Sequence, residues 1–231
     1  MKNLLHKLLP KKYKLKKITK KFGKIFFSQD GEDMAINAFY ETMHNYKGFF
    51  IDVGAHHPYR FSNTAFFYLR GWNGINIEPT PSLFDDFIKH RKRDINLNFG
   101  VSEKKSMLTF YEFDEPALNS FDKILSQKRN LETNYKIIAE KQIEVFPLSE
   151  ILDNYLPKNQ KIDFITIDVE GLDFQVLKSN NWEKYRPTFV LVEDQFDFND
   201  LKSNQIYSYL TQLNYSLVAK TLRTNIFKSD I

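Results

Sequence analysis

Apolar positions along the chain fall into two kinds of run. Residues 49–53, 74–78, 95–101, 162–169 and 188–193 are short stretches dense in Ile, Val and Phe. Several are nearly continuous, as expected of parallel strands covered on both faces. Between them, 62–69, 81–92 and 174–179 carry apolar residues at helical spacing, and Pro81 stands where the fixed φ of proline suits a first helical turn. This alternation predicts an α/β fold, a doubly wound and mostly parallel sheet with helices on both faces. Residues 108–113 and 142–146 read as two further strands, a small β insertion flanking the polar segment 114–140, which is expected to be mobile. Residues 215–219 and 224–228 predict a closing hairpin around Leu222 and Arg223.

Composition narrows the classes. A chain of 231 residues, 42% hydrophobic, can bury one sizeable core, so one domain over 26–231 is expected behind a leader at 1–25. No cysteine is present, which excludes a disulfide framework, a thiolate zinc site and a cysteine nucleophile. No run approaches the roughly 18 apolar residues of a membrane span, and the N-terminus lacks a signal peptide's apolar core, so a cytoplasmic protein is expected.

Charge is uneven. Ten lysines and no acid lie within residues 1–24; setting these against the chain's +4 leaves −6 for the remainder. With Leu4, Leu5, Leu8 and Leu9 among its lysines, the leader is either a solvated tail or a peripheral contact with an anionic membrane, at about 1 kcal/mol per lysine near the surface. Nucleic acid is not expected as a partner, because the body is acidic and shows no recognition helix or stacking platform.

Candidate chemistry begins at "FFIDVGAHHPYRFSNT", a strand running into a glycine turn and then two histidines and a proline. In doubly wound sheets, ligands bind beyond the carboxyl ends of the strands. Gly54 lets the backbone approach a ligand, and Asp52 can accept hydrogen bonds from an amine or a ribose. A dinucleotide fingerprint needs glycines where His56 and Tyr59 stand, which disfavours NAD. Glu78 ends the next strand, placed for ribose hydroxyls. Two acids ending consecutive strands around a glycine turn point to an adenosine-type cofactor without a diphosphate.

Four ordered motifs carry a family resemblance: "FSQDGEDMAI", "FIDVGAHHPYRFSNT", "GWNGINIEPTP" and "DFITIDVEGLDFQVLKS". Over about residues 26–195 the chain resembles the FkbM-type S-adenosylmethionine-dependent methyltransferases. The resemblance implies a class I methyltransferase-like fold, S-adenosylmethionine as cofactor, methyl transfer to an oxygen, and a substrate such as a sugar, a nucleotide sugar or a glycosylated metabolite. It implies that Asp52 and Gly54 contact the methionine part, that Glu78 binds the ribose and that Asn98 faces the adenine. Ser28 and Gln29 would close over the cofactor, although Ser-Gln-Asp before Glu32 also reads as a helix cap. Asn63 is a further cofactor candidate within Ser62-Asn63-Thr64, itself a capping sequence. His56 and His57 depart from the residues common at those family positions.

Methyl transfer to a hydroxyl also needs a way to remove its proton. Asp168 ends the fourth strand and Glu193-Asp194 the fifth, an arrangement similar to the magnesium site of catechol O-methyltransferase-like enzymes. Asp168, Glu193 and Asp194 are therefore expected to hold magnesium or manganese, since the acids would otherwise repel one another; the alternatives are a metal-free general base, with Asp168 catalytic, and acids bonded to backbone or to sugar hydroxyls. Glu170 follows as a substrate or structural contact. His56 and His57 offer a second route, a neutral imidazole as base. Arg60 and Arg70 are either phosphate contacts or surface charges. The expectation is an O-methyltransferase of a sugar hydroxyl, on a nucleotide sugar or a surface-glycan precursor. The alternatives are a nicotinamide-dependent sugar-modifying enzyme, a non-catalytic nucleotide- or glycan-binding module, and a basic-tailed membrane adaptor.

Overall fold

The computed structural model describes residues 23–194, 201 and 203–231. Except for its last residues, the lysine-rich leader lies outside the described residues.

A seven-stranded sheet forms the centre. Its strands are β1 (Phe49–Val53), β2 (Asn73–Ile77), β3 (Ile95–Leu97), β7 (Phe164–Ile167), β8 (Phe189–Glu193), β9 (Tyr215–Lys220) and β10 (Thr224–Ser229), in the order β3-β2-β1-β7-β8-β10-β9. The first five are parallel, and β10 runs antiparallel to both β8 and β9. The order reverses at β1, so the crevice above β1 and β7 is the position such sheets offer to a ligand.

The near-continuous apolar runs have the expected cause. Every residue of β1 is buried. Phe49, Ile51 and Val53 join a cluster with Leu148, Leu152, Val176 and Leu210 on one face of the sheet, while Phe50 joins Ile36, Phe67 and Trp72 on the other. Helices α1 (Glu32–Tyr40), α2 (Ala65–Leu69) and α3 (Pro81–His90) follow in the first half. Pro81 occupies the start of α3 as expected.

Two regions differ from the sequence reading. Residues 95–101 do not form one strand: β3 stays in the main sheet, whereas β4 (Gly100–Val101) turns into a second, three-stranded sheet with β5 (Ser106–Phe113) and β6 (Ile137–Phe146). Segment 114–140 carries a 3-10 turn at Pro116–Leu118, a helix α4 (Lys123–Glu132) and the first part of β6. Asp122 caps α4 by accepting from the Leu125 amide at 2.9 Å. The chain also forms α5 (Leu148–Tyr155), α6 (Asp173–Lys178) and α7 (Gln205–Gln212). The hairpin of β9 and β10 forms as expected. No helix among the described residues is long and apolar enough to cross a membrane.

Candidate active site

A cavity of about 330 Å³ opens above the carboxyl ends of β1, β2, β7 and β8. Its floor is the β1 turn, where the Gly54 and Ala55 amides donate to the Ile77 carbonyl at 3.0 and 3.1 Å. Gly54 has φ +77, and a Cβ there would stand 1.8 Å from the Asp168 carbonyl oxygen, so the approach of this turn to the β7 end requires glycine. The second sheet and the turn before α4 form the roof, through Phe110, Ala117, Leu118 and Phe121. Phe110 and Phe121 pack with ring centroids 4.7 Å apart.

Glu78 stands at one end with its carboxylate fixed from two sides. The His56 amide donates to one oxygen at 2.8 Å and the Thr80 amide to the other at 2.7 Å. Each oxygen keeps a lone pair for a further donor. Burial pushes its pKa up to about 7, against the pull of those amides. Asp52 accepts from the Thr64 hydroxyl at 2.7 Å, and burial lifts it to about 6. Gln29 also lines the cavity, as does Asn63, whose Nδ2 donates to Thr166 Oγ1 at 2.8 Å.

At the other end Asp168, Glu170 and Glu193 each present a carboxylate oxygen within 4.8 Å of the others. Parallel pairing of β7 with β8 delivers Asp168 and Glu193 to the same rim. Glu170 arrives from the following turn with φ 55, a left-handed backbone that a non-glycine residue adopts only where its surroundings hold it. Here Asp173 does so, accepting from the Val169 and Gly171 amides at 3.0 and 3.2 Å. Burial, then the mutual repulsion of the acids, raises Asp168 well above the usual carboxylate range and brings Glu193 to about 7. Arg129 pairs with Glu170, and Arg223 lines the same cavity while donating to Asp30 at 2.7 Å.

Several expected residues are placed elsewhere. Asp194 is not part of the acid cluster: its carboxylate accepts from Asn204 at 2.7 Å, and Glu170 stands as the third acid. His57 does not line the cavity. Its Nδ1 accepts from the Tyr59 and Arg60 amides, both at 3.0 Å, which commits its lone pair to the turn. His56 does line the cavity, and its Nδ1 is buried with no hydrogen-bond partner among the described residues. Burial, then Arg60 and His57, lowers its pKa to about 4, so it is neutral at pH 7 and a weak base. Ser28 is buried and does not line the cavity, donating to Asp33 at 2.8 Å and accepting from the Gly31 amide at 3.1 Å; these bonds brace the turn that leads into α1, whose N-cap position is Gly31 and carries no side-chain cap bond. Asn98 is exposed and ties the Glu78 and Pro79 carbonyls together at 2.8 and 3.0 Å; Phe99 and Gly100 line the cavity in its stead. Arg60 forms a two-pronged pair with Glu115 at 2.8 and 3.0 Å, joining the β1 turn to the roof. Arg70 bonds Asn37 at 3.3 Å.

Reading the sequence missed Arg129, because helix α4 is polar around most of its circumference and no motif marks the residue. It named Arg223 only as a hairpin tip.

The anionic lining is the site's main chemical property. Five carboxylates, Asp52, Glu78, Asp168, Glu170 and Glu193, face one cavity against the two guanidinium groups of Arg129 and Arg223. Such a lining fits a ligand that carries positive charge and hydroxyl donors. S-Adenosylmethionine, with its sulfonium, its ammonium and its ribose diol, matches that donor set.

The sequence profile of the methyltransferase FkbM domain matches residues 52–217. No curated protein matches the chain. Among solved structures, the methyltransferase FkbM from Methylobacillus flagellatus KT is 14% identical with a TM-score of 0.48, the match covering 87% of this chain and 56% of that one. The O-methyltransferase from Bacillus cereus, solved in complex with S-adenosylhomocysteine, is 10% identical with a TM-score of 0.41 over 95% and 91% of the two chains. The chain thus spans little more than half the length of the first of these proteins.

Proposed function

Since the chain belongs to the FkbM family of S-adenosylmethionine-dependent methyltransferases, we propose that it methylates a hydroxyl group of a sugar, on a nucleotide sugar or a surface-glycan precursor. The observation that carries this reading is the pairing, within one cavity, of a fixed diol acceptor at Glu78 with a carboxylate cluster at Asp168 and Glu193. The cofactor, when bound, supplies an electrophilic methyl on its sulfonium.

This chain's residues do the rest. Glu78 accepts hydrogen bonds from the ribose, and Asp52 faces the cationic methionine part. The acid cluster lies beyond, where carboxylates accept hydrogen bonds from the hydroxyls of a polyol. The Phe110 and Phe121 rings offer an apolar wall to the carbon face of a sugar ring, and the roof excludes water. Asp168 and Glu193 take the proton of the reacting hydroxyl. Two buried carboxylates at this distance bind one proton tightly, and the fully ionised pair is the stronger base. Its affinity for a proton near neutral pH suits a general base better than His56, which burial and Arg60 keep neutral.

A second reading follows from the three oxygens within 4.8 Å. Asp168, Glu170 and Glu193 could hold magnesium or manganese, whose charge would lower the pKa of the acceptor hydroxyl.

One experiment tests both. Purified protein is given S-adenosylmethionine and a panel of nucleotide sugars and oligosaccharides, with and without chelator, and S-adenosylhomocysteine release is measured. Turnover with a sugar acceptor is expected. Loss of turnover in chelator, restored by magnesium or manganese, selects the cation reading; an unchanged rate selects the carboxylate pair. Failure to bind S-adenosylmethionine or S-adenosylhomocysteine by calorimetry would overturn the proposal.

A further inference from the structure

Arg91 is completely buried, with 0% of its surface exposed, and no motif of the sequence accounts for it. A guanidinium is costly to bury unless every donor is placed. Here the donors fan out to three partners: Nε to Asp94 Oδ2 at 2.8 Å, Nη1 to the Pro58 carbonyl at 3.0 Å and Nη2 to Thr64 Oγ1 at 2.9 Å. The Tyr68 and Phe50 rings flank the group at 4.5 and 5.4 Å. Asp94 is itself fixed by the Gly74 amide and Asn76 Nδ2 at 3.1 and 3.0 Å.

The direction of these bonds follows from their chemistry. Arginine has no acceptor, so the Thr64 oxygen accepts from it, and with Asp52 ionised the single Thr64 proton goes to Asp52 Oδ2 at 2.7 Å, while the Ser62 hydroxyl, 3.2 Å from Thr64 Oγ1, serves as the donor of that pair. Bonds of this kind polarise one another in a buried chain. The same guanidinium pins the Pro58 carbonyl, in the loop that carries His56. One cation behind the sheet therefore fixes both the carboxylate of the cofactor turn and the loop beside it.

We propose that Arg91 is a positioning residue for the cofactor: acting through Thr64, it keeps the Asp52 carboxylate aimed into the cavity. This rests on the assignment of Asp52 to the cofactor's cationic end. Two charged groups act on Asp52 through the protein, Arg91 favouring its ionised form and Asp94 opposing it, and Glu78 feels the charge of Asp52 in turn. Asp52 touches neither Arg91 nor Asp94 directly, so Thr64 is the link that can be cut alone.

The test is calorimetric titration of the full-length chain with S-adenosylhomocysteine, whose amine is protonated over the range, from pH 5.5 to 8. Wild type should lose affinity as pH falls in two steps, through about 7 where Glu78 takes up its proton and through about 6 where Asp52 does, and the lower step is the one the Thr64 variants move. Thr64→Val keeps the side-chain shape and leaves Arg91 paired with Asp94. It should bind roughly tenfold more weakly at pH 7, with the pH dependence displaced upward by about one unit. Thr64→Ser retains the hydroxyl and should restore the wild-type profile. Arg91→Lys, which cannot span three acceptors, should resemble Thr64→Val; if that variant does not fold, the Thr64 pair still decides. A folded Thr64→Val protein with wild-type affinity and pH profile overturns the relay alone. No affinity in wild type overturns the cofactor assignment and the relay with it.

Discussion

Glu78 illustrates how much of the site rests on single side chains. Its two oxygens are spent once on the His56 and Thr80 amides, so it shapes two turns and keeps a lone pair on each oxygen for the proposed ribose contact. Glu78→Ala should weaken cofactor affinity ten- to a hundredfold, the value of a charge-assisted bond of about 1.5–3 kcal/mol. A folded variant with unchanged affinity by calorimetry would remove Glu78 from the ribose site. Glu193→Gln tests the opposite end. If the fully ionised pair is the base, the wild-type rate rises with pH as Asp168 and Glu193 give up their last shared proton, which burial and mutual repulsion hold well above the usual carboxylate range, and then levels. In the variant kcat should fall at least a hundredfold with cofactor affinity retained. A variant of normal rate would show that the pair does not take the proton. At this scale the sequence was partly legible. Asp52, Glu78 and Asp168 could be placed because a strand's end is visible as the end of its apolar run. Ser28, His57 and Asn98 could not, since nothing in a sequence separates a side chain that faces a ligand from one spent on a neighbouring amide.

Between elements, the close contact is the β1 turn against the end of β7. Gly54→Ala would require its Cβ to occupy the place of the Asp168 carbonyl, 1.8 Å away, at φ +77. Backbone would have to move in both strands, and the cost should exceed about 3 kcal/mol. Urea unfolding should show a large drop in midpoint or no folded protein; a midpoint near wild type would mean that the turn can relax. The central strands were readable because burial on both faces leaves an unbroken apolar run. Helices α4, α5 and α7 were not predicted. In α4 the local composition is polar, and its N-terminus is set by the Asp122 side chain rather than by an apolar stripe. The split of residues 95–101 was equally hidden. Ile95, Leu97, Phe99 and Val101 alternate with Asn96, Asn98 and Gly100, a pattern that reads as one strand, and only the departure at Asn98 and Phe99 sends Gly100 and Val101 into another sheet, where Phe121 packs over Gly100.

For the whole molecule, the concentration of buried acids fixes how stability responds to pH. Glu78 and Glu193 titrate at about 7 in the folded chain, and Asp168 is also raised, whereas in the unfolded chain such groups titrate near 4. A raised carboxylate stabilises the fold while it is protonated, and that contribution is lost as pH rises through the folded pKa. Other groups act outside this window or in the opposite sense. Glu115, held low by Arg60, is ionised in both states above about pH 5. His56, held near 4, favours folding as pH rises, but only until the unfolded histidine has deprotonated near 6.5. Between pH 6.5 and 8.5 the raised carboxylates therefore dominate, and the folded protein binds more protons than the unfolded one, so stability must fall. Each pKa unit traversed is worth about 1.4 kcal/mol, and each kcal/mol moves the midpoint by roughly 2–4 °C in a chain of this size. Thermal unfolding at constant ionic strength should thus show a midpoint several degrees lower at pH 8.5 than at 6.5. Glu193→Gln, which removes one member of the cluster, should flatten that slope. A midpoint that holds steady or rises across the window would mean that these carboxylates are ionised in the folded protein well below pH 7, and with that the case for the acid pair as a base at neutral pH would fail.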